Sequence, residues 1–420
     1  MISTSPPSDG DRGHPKSFAA LSHPGARPYI FGSMLIWMGD SIEHVISYWM
    51  IFQKFESQEL AGFAIIAHWL PFLLFSVYAG ALADRFDPRR LIQIGAGLFI
   101  LASLGWGILF LTDTLEMWHA IALLVVHGLA GVFLGPASQL LIHDIVGSRN
   151  LQSAVRLIAT GRHLGFLAGP AVGGVLLLVF GPAWGILLNI LPYLPLTLWL
   201  WRAPYGPKFR DQEAERGRPV KGVSDIVETV RSISGNRTIV SMTILAGAAS
   251  FMVGSGHTSQ LPEFSLDLGH RDGLYYSILF GANAAGAFFA GIVLESWNIF
   301  PAKPRTAVIL VALWSVAIGG FALTRDYSVA LALLFIAGFL NLSYNSMAQT
   351  LVQLSAPAAI RGRVIGLYAM ARSGLMAFSG VTIGMVGGVI GIHTSLALSA
   401  AILLVLTLGV LPLTKQSEPA

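Results

Sequence analysis

The 420-residue chain is 54% hydrophobic and only 11% charged, with a mean hydropathy of +0.67, whereas an ordinary soluble domain carries about 25% charged residues; a water-soluble globular fold is excluded. It contains no cysteine, which rules out disulfides, thiolate metal sites and thiol nucleophiles. The formal charge of +4 would suit nucleic acid, but the basic residues lie between apolar runs, so the expected partner is the lipid bilayer and not a nucleic acid.

Residues 1–28 are rich in Pro, Gly, Ser and charge and lack the apolar core of a cleavable signal; they read as a disordered cytoplasmic tail. Twelve mostly apolar segments follow, at about 29–52, 60–83, 90–112, 118–142, 157–180, 183–201, 238–258, 273–294, 306–324, 328–353, 364–390 and 394–413. Each is long enough to cross the hydrocarbon as a helix that satisfies its own backbone. The expected fold is an all-α membrane protein of twelve transmembrane helices. Its parts are a six-helix bundle over 29–202, a polar cytoplasmic loop over 203–237, a second six-helix bundle over 238–413 and a cytoplasmic tail over 414–420.

The first span carries Asp40, Glu43 and His44 near its middle, where a charged side chain costs about 2.5–3.5 kcal/mol even on a lenient insertion scale. They are therefore expected to face a cavity. Spacings of three and four put Asp40 on one helix face with both Glu43 and His44, and buried carboxylates beside an imidazole suit proton exchange. Bracing of neighbouring helices is the plainer alternative. Asp40 and His44 are also a possible pair of metal ligands, but two are too few where a site takes four to six, so no metal site is expected. His68, His127, His163 and His257 sit on later spans, and each alone is read as an interhelical hydrogen bond.

Between spans 2 and 3 stands Gly80-Ala-Leu-Ala-Asp84-Arg85-Phe-Asp-Pro-Arg89-Arg90. Anchoring at the inner surface explains Arg85, Arg89 and Arg90 but neither Gly80 nor Asp84. Span 5 holds Gly165, Gly169, Pro170, Gly173 and Gly174: glycines four apart make a flat face for close packing, and the proline bends the helix. Arg162 precedes this run, and at an offset of 210 residues it matches Arg372 of span 11, as Gln139 matches Gln349 and Gly174 matches Gly384. The chain therefore reads as an internal duplication, two pseudo-symmetric bundles about a central site. Arg162 and Arg372 are candidates for an inner gate with Asp144. With the N-terminus inside, 23 of the 26 basic residues fall on the inner side and only Lys54, Arg271 and Arg325 outside, so both termini are expected in the cytoplasm.

The Gly80–Arg90 segment resembles the cytoplasmic signature loop of the major facilitator superfamily, with Asp87 and Pro88 as departures from it. The glycine-proline run of span 5 is similar to the signature of the superfamily's antiporters. The stretches Gly39–Trp49 and His68–Pro71 resemble the opening spans of the exporter branch that includes the enterobactin exporter, and Gly291, Glu295, Lys303 and Arg305 form a degenerate echo of the loop in the second half. The resemblance implies the major facilitator fold, alternating access, and a latch at Gly80, Asp84, Arg85, Arg89 and Arg90 that holds the halves together on the cytoplasmic side.

The expected function is secondary active export across a bacterial inner membrane, with protons exchanged for a lipophilic or amphipathic small molecule such as a drug, siderophore or secondary metabolite. The proton gradient is the energy source, no cofactor is needed, and the chain is expected to act as a monomer. A divalent metal exporter of ferroportin type, a lysophospholipid transporter and a non-transporting scaffold or receptor stand as alternatives. The chain has no phosphate loop, no serine elbow and no His-Glu-x-x-His, so it does not read as an enzyme.

Overall fold

A computed structural model describes residues 18–55, 58–209, 223–254, 257, 260–269, 273–297, 299–379, 382–383 and 386–414. The first half opens with α1 (Ala26–Phe55), α2 (Gln58–Arg85) and α3 (Pro88–Thr112). Helical hydrogen bonding then runs on from Met117 to Leu188, but left-handed glycines at Gly147 (φ 68°) and Gly181 (φ 73°) turn the chain back twice. The glycines divide this stretch into α4 (117–146), α5 (148–180) and α6, which starts at 182 and continues through Leu194–Arg202. Only glycine adopts that φ without strain, so three crossings follow one another with almost no loop.

The second half comprises a surface helix α7 (Val223–Ile233), then α8 (Arg237–Met252), the short α9 (Leu261–Asp267), α10 (Gly273–Trp297), α11 (Pro304–Leu323) and α12 (Tyr327–Ser355). Next comes α13, which begins at Arg361–Ala369 and passes through a π-helical turn, Met370–Gly374, and a 3₁₀ turn, Leu375–Phe378, to a last turn at Val386–Ile390. The chain closes with α14 (Ile392–Thr414). Tight turns are fixed by caps: Asp87, Asn236 and Asp326 each accept a backbone N–H in the first turn of α3, α8 and α12. Asp87 and Pro88, the departures from the signature loop, thus form an ordinary helix start with proline in the first turn.

Each half has its own apolar core, one around Phe99, Trp106 and Tyr193, the other around Trp314, Phe321 and Tyr344. The outer face is apolar as well: Leu178 and Val389 are 85% exposed and Leu323 71%. Helices that are hydrophobic all round belong in lipid. Length and composition alone pick out seven spans among the described residues, one of which, Met117–Phe209, contains three crossings. The first helix with its acids, the short α8 and the broken α13 complete the twelve.

Two boundaries differ from those expected. Residues 18–28 are ordered: a 3₁₀ turn at Ala19–Ser22 tucks against the first half, with the Ala20 N–H donated to Ser153 Oγ at 3.0 Å, and α1 starts at Ala26. The fifth helix begins just past Gly147, nine residues before the apolar run, because polar residues such as Arg156 are buried there against the other half. The remainder of the tail (1–17), the loop segment 210–222, the residues 415–420 and Gly384 lie outside the described residues.

Candidate functional site

Asp40, Glu43 and His127 are 2%, 1% and 4% exposed, in the interior of the first bundle. The close seat of α1 against α5 puts Asp40 and Glu43 there. The face formed by Gly165, Gly169 and Gly173 lets the α1 backbone approach: a Cβ on Gly165 would meet Met34 O and Met38 N, one on Gly169 would meet Ser41, and one on Gly173 would meet Ile42 and Val45. Gly174 is not part of this seam and faces open space, and Pro170 is exposed at the edge of the seam, beside α1.

His127 of α4 stands between the two carboxylates. Its Nδ1 donates to Glu43 Oε1 at 2.8 Å, and Ser103 Oγ donates to Glu43 Oε2 at 2.6 Å. Its Nε2 lies 2.9 Å from Asp40 Oδ1, within ion-pair reach, but at an angle that leaves both atoms without a hydrogen bond. His44 donates from Nδ1 to the Asp40 carbonyl at 2.7 Å, and its ring meets those of His127 and His68 at 4.7 and 4.8 Å. Asn189 ties the same place to α6 by donating to Gly39 O at 2.9 Å. Thus Asp40 and Glu43 communicate through His127 instead of touching directly. Among the described residues no Lys or Arg forms an ion pair with either acid, so imidazole is the cationic partner available. A chain of carboxylate, imidazole, carboxylate and hydroxyl can hold and pass a proton.

The same geometry changes the metal question. Asp40, His44, His68 and His127 each offer a ligand atom, and these atoms all lie within 4.8 Å of one another. Two of the histidines have Nδ1 engaged, the arrangement that orients the other ring nitrogen for a ligand. Beside the cluster is a depression of about 430 Å³ lined by Ser41, His44, Val45, Tyr48, Trp49 and Pro170.

The halves are joined at one end. Asp84 accepts the backbone N–H groups of Gly362 and Arg363 at 2.5 and 2.9 Å, at the start of α13, a carboxylate on the positive end of a helix. Gly80 makes room for this approach. The basic residues of the loop are not partners of Asp84: Arg89 binds Asp87 and donates to Ala203 O at 2.6 Å, while Arg85 and Arg90 are exposed. On the opposite side of this end, Arg156 donates to Leu294 O at 2.7 Å and Phe300 O at 3.2 Å, and Ser153 donates to Glu295. Gln353 donates to Gln139 at 3.0 Å. Among the described residues, all hydrogen bonds between the halves lie at this end. Arg156 was legible only as a basic loop residue; its burial is set by a helix that starts earlier than the apolar run.

Arg162 and Arg372 lie close to the midpoints of α5 and α13 instead of at their ends. Neither makes the expected ion pair with Asp144, which has its own partner.

A family model described as "transmembrane secretion effector" matches residues 16–417. The enterobactin exporter of Shigella boydii is 26% identical over 302 residues, covering 69% of this chain and 67% of that protein, and that of Escherichia coli O139:H28 is 25% identical over the same shares. Among solved structures, the human organic anion transporter MFSD10 superposes with a TM-score of 0.74 at 14% identity over 92% of this chain and 98% of that one. A proton:xylose symporter superposes with a TM-score of 0.70 at 17% identity over 93% and 94%.

Proposed function

Because the chain belongs to the transmembrane secretion effector family of major facilitator transporters, we propose that it is a proton-coupled exporter of a lipophilic or amphipathic small molecule. The observation that carries this reading is His127 held between Asp40 and Glu43 in a buried site without, among the described residues, a lysine or arginine partner. Protons entering beside His44 load the Asp40–His127–Glu43 group, and release on the opposite side of the membrane drives the return of the empty carrier. With both termini in the cytoplasm of a bacterial inner membrane, the joined end faces inward and the chain stands outward-facing. Its likeness to the enterobactin exporters supports a secreted small molecule as cargo. Binding and translocation need no covalent step.

The test is proton movement in proteoliposomes challenged with lipophilic cations, siderophores, lysophospholipids and divalent metals, with Asp40→Asn alongside. Proton flux driven by one compound class and lost in the variant is the expected result. Undiminished coupled flux in Asp40→Asn overturns the assignment.

A second reading, divalent metal export, gains from the four converging ligand atoms of Asp40, His44, His68 and His127, since imidazole and carboxylate suit d-block cations. Metal uptake in the same assay, with no organic compound eliciting flux, selects it over the first.

A further inference from the structure

Arg162 and Arg372 come from opposite halves, at equivalent positions of the duplication. They are close enough to act on each other electrostatically, and both act on Tyr368 and His163. The Arg162 guanidinium lies over the Trp37 ring at 5.7 Å, and Trp37 in turn meets Phe166 edge to face at 5.5 Å. Among the described residues neither guanidinium makes a hydrogen bond or an ion pair, and Nε of Arg372 is fully buried without a partner. Among the described residues, the acids of the bundle interiors and the joined end have other partners: Asp40 and Glu43 the histidine cluster, Asp84 the start of α13, Glu295 Ser153, and Asp144 a partner of its own.

Two half-buried like charges within a membrane protein, with no counter-ion among the described residues, are a costly arrangement, since charges withdrawn from water are ordinarily paired. A guanidinium offers a planar fork of donors that fits carboxylate, sulfonate and phosphate oxygens, and the aromatic rings beside it suit an apolar body. We propose that Arg162 and Arg372 form the anion-binding site between the halves and that the exported compound is an organic anion with an acidic group and an aromatic or aliphatic body. This rests on reading the chain as an exporter, and it narrows the cargo class.

The experiment is calorimetric titration of the purified full chain in neutral detergent, without any gradient, using naphthalene-2-sulfonate and its neutral counterpart naphthalene-2-sulfonamide. Charge-assisted hydrogen bonds predict that the wild type prefers the sulfonate by about tenfold or more. In Arg162→Gln and Arg372→Gln that ratio falls toward one, and Arg372→Lys recovers part of it; a cooperative melting transition establishes that each variant is folded. Equal affinity for the two compounds, binding of neither, or a preference that survives both Gln variants overturns the proposal. Competition by lysophosphatidylglycerol identifies the anion as a lipid headgroup, and its failure to compete identifies a soluble organic anion; either is an anion held at this pair. Because no proton gradient is present, failure here is separate from failure of proton coupling, which only the proteoliposome assay reads.

Discussion

Gly80 of α2 and Gly362 of α13 meet backbone to backbone: a Cβ on either residue would collide with the carbonyl oxygen of the other. That approach brings Asp84 onto the N–H groups of Gly362 and Arg363. Gly80→Val is therefore expected to open this end of the molecule. The chain has no cysteine of its own, so a single Gln139→Cys, placed where Gln139 meets Gln353 across the halves, reports the opening without background. Its labelling by a thiol reagent added from the inner side should rise several-fold in Gly80→Val, and also in Asp84→Asn, which loses charge-assisted bonds of about 1.5–3 kcal/mol. Unchanged labelling would mean that the glycine contact does not hold the halves.

The Asp40–His127–Glu43 group makes a stability prediction separate from transport. His127→Ala leaves two buried carboxylates without their cationic partner, at a cost of about 3–5 kcal/mol. Its melting temperature in detergent should fall well below that of the wild type, and adding Glu43→Gln to the same chain should recover part of the loss by removing one stranded charge. Equal melting temperatures for wild type and His127→Ala would show that the carboxylates are satisfied in another way.

The arginine pair predicts the opposite sign. Removing one of two half-buried, unpartnered like charges relieves repulsion and desolvation, so ligand-free Arg372→Gln should melt higher than wild type. The binding function should weaken in the same variant, the familiar exchange of activity for stability at a functional site. A lower melting temperature would point to a partner that Arg372 already satisfies.

The α5 glycines separate by face. Gly169→Leu drives a side chain into Ser41 and the Met38 carbonyl and should cost about 1–3 kcal/mol through overpacking. Gly174→Ala has open space and gains helix propensity of up to about 1 kcal/mol. Thermal melts of the two variants check the contrast, and equal losses would remove the seam with α1.

Much of the fold was legible because lipid demands long apolar helices and because basic residues gather on one side. The positions of Asp40, Glu43 and His44 were legible from the cost of charge within a span. Their partner was not: His127 lies 84 positions from Glu43, and spacing within one helix cannot register a bridge to another. The contact between Asp84 and the start of α13 shows the same limit. Gly80 and Asp84 stand out as residues, but Asp84 binds backbone N–H groups, which every non-proline residue carries and no side-chain pattern marks. Arg162 and Arg372 were recognised as a pair from the repeat, while the expected acid, Asp144, is engaged elsewhere; a vacancy of charge appears only once all neighbours are in place.

The two arginines of the duplication ride on unlike backbones. Arg162 sits on regular α-helix braced by the glycine seam, whereas Arg372 occupies the π-helical turn Met370–Gly374, with 3₁₀ winding directly after it. A π turn holds one residue more than α winding allows, and resolving it rotates the following helix by about 100° per residue. In the proposed anion site one jaw is therefore braced and the other can ratchet, so that the same grip on a cargo would persist while the second half turns around it.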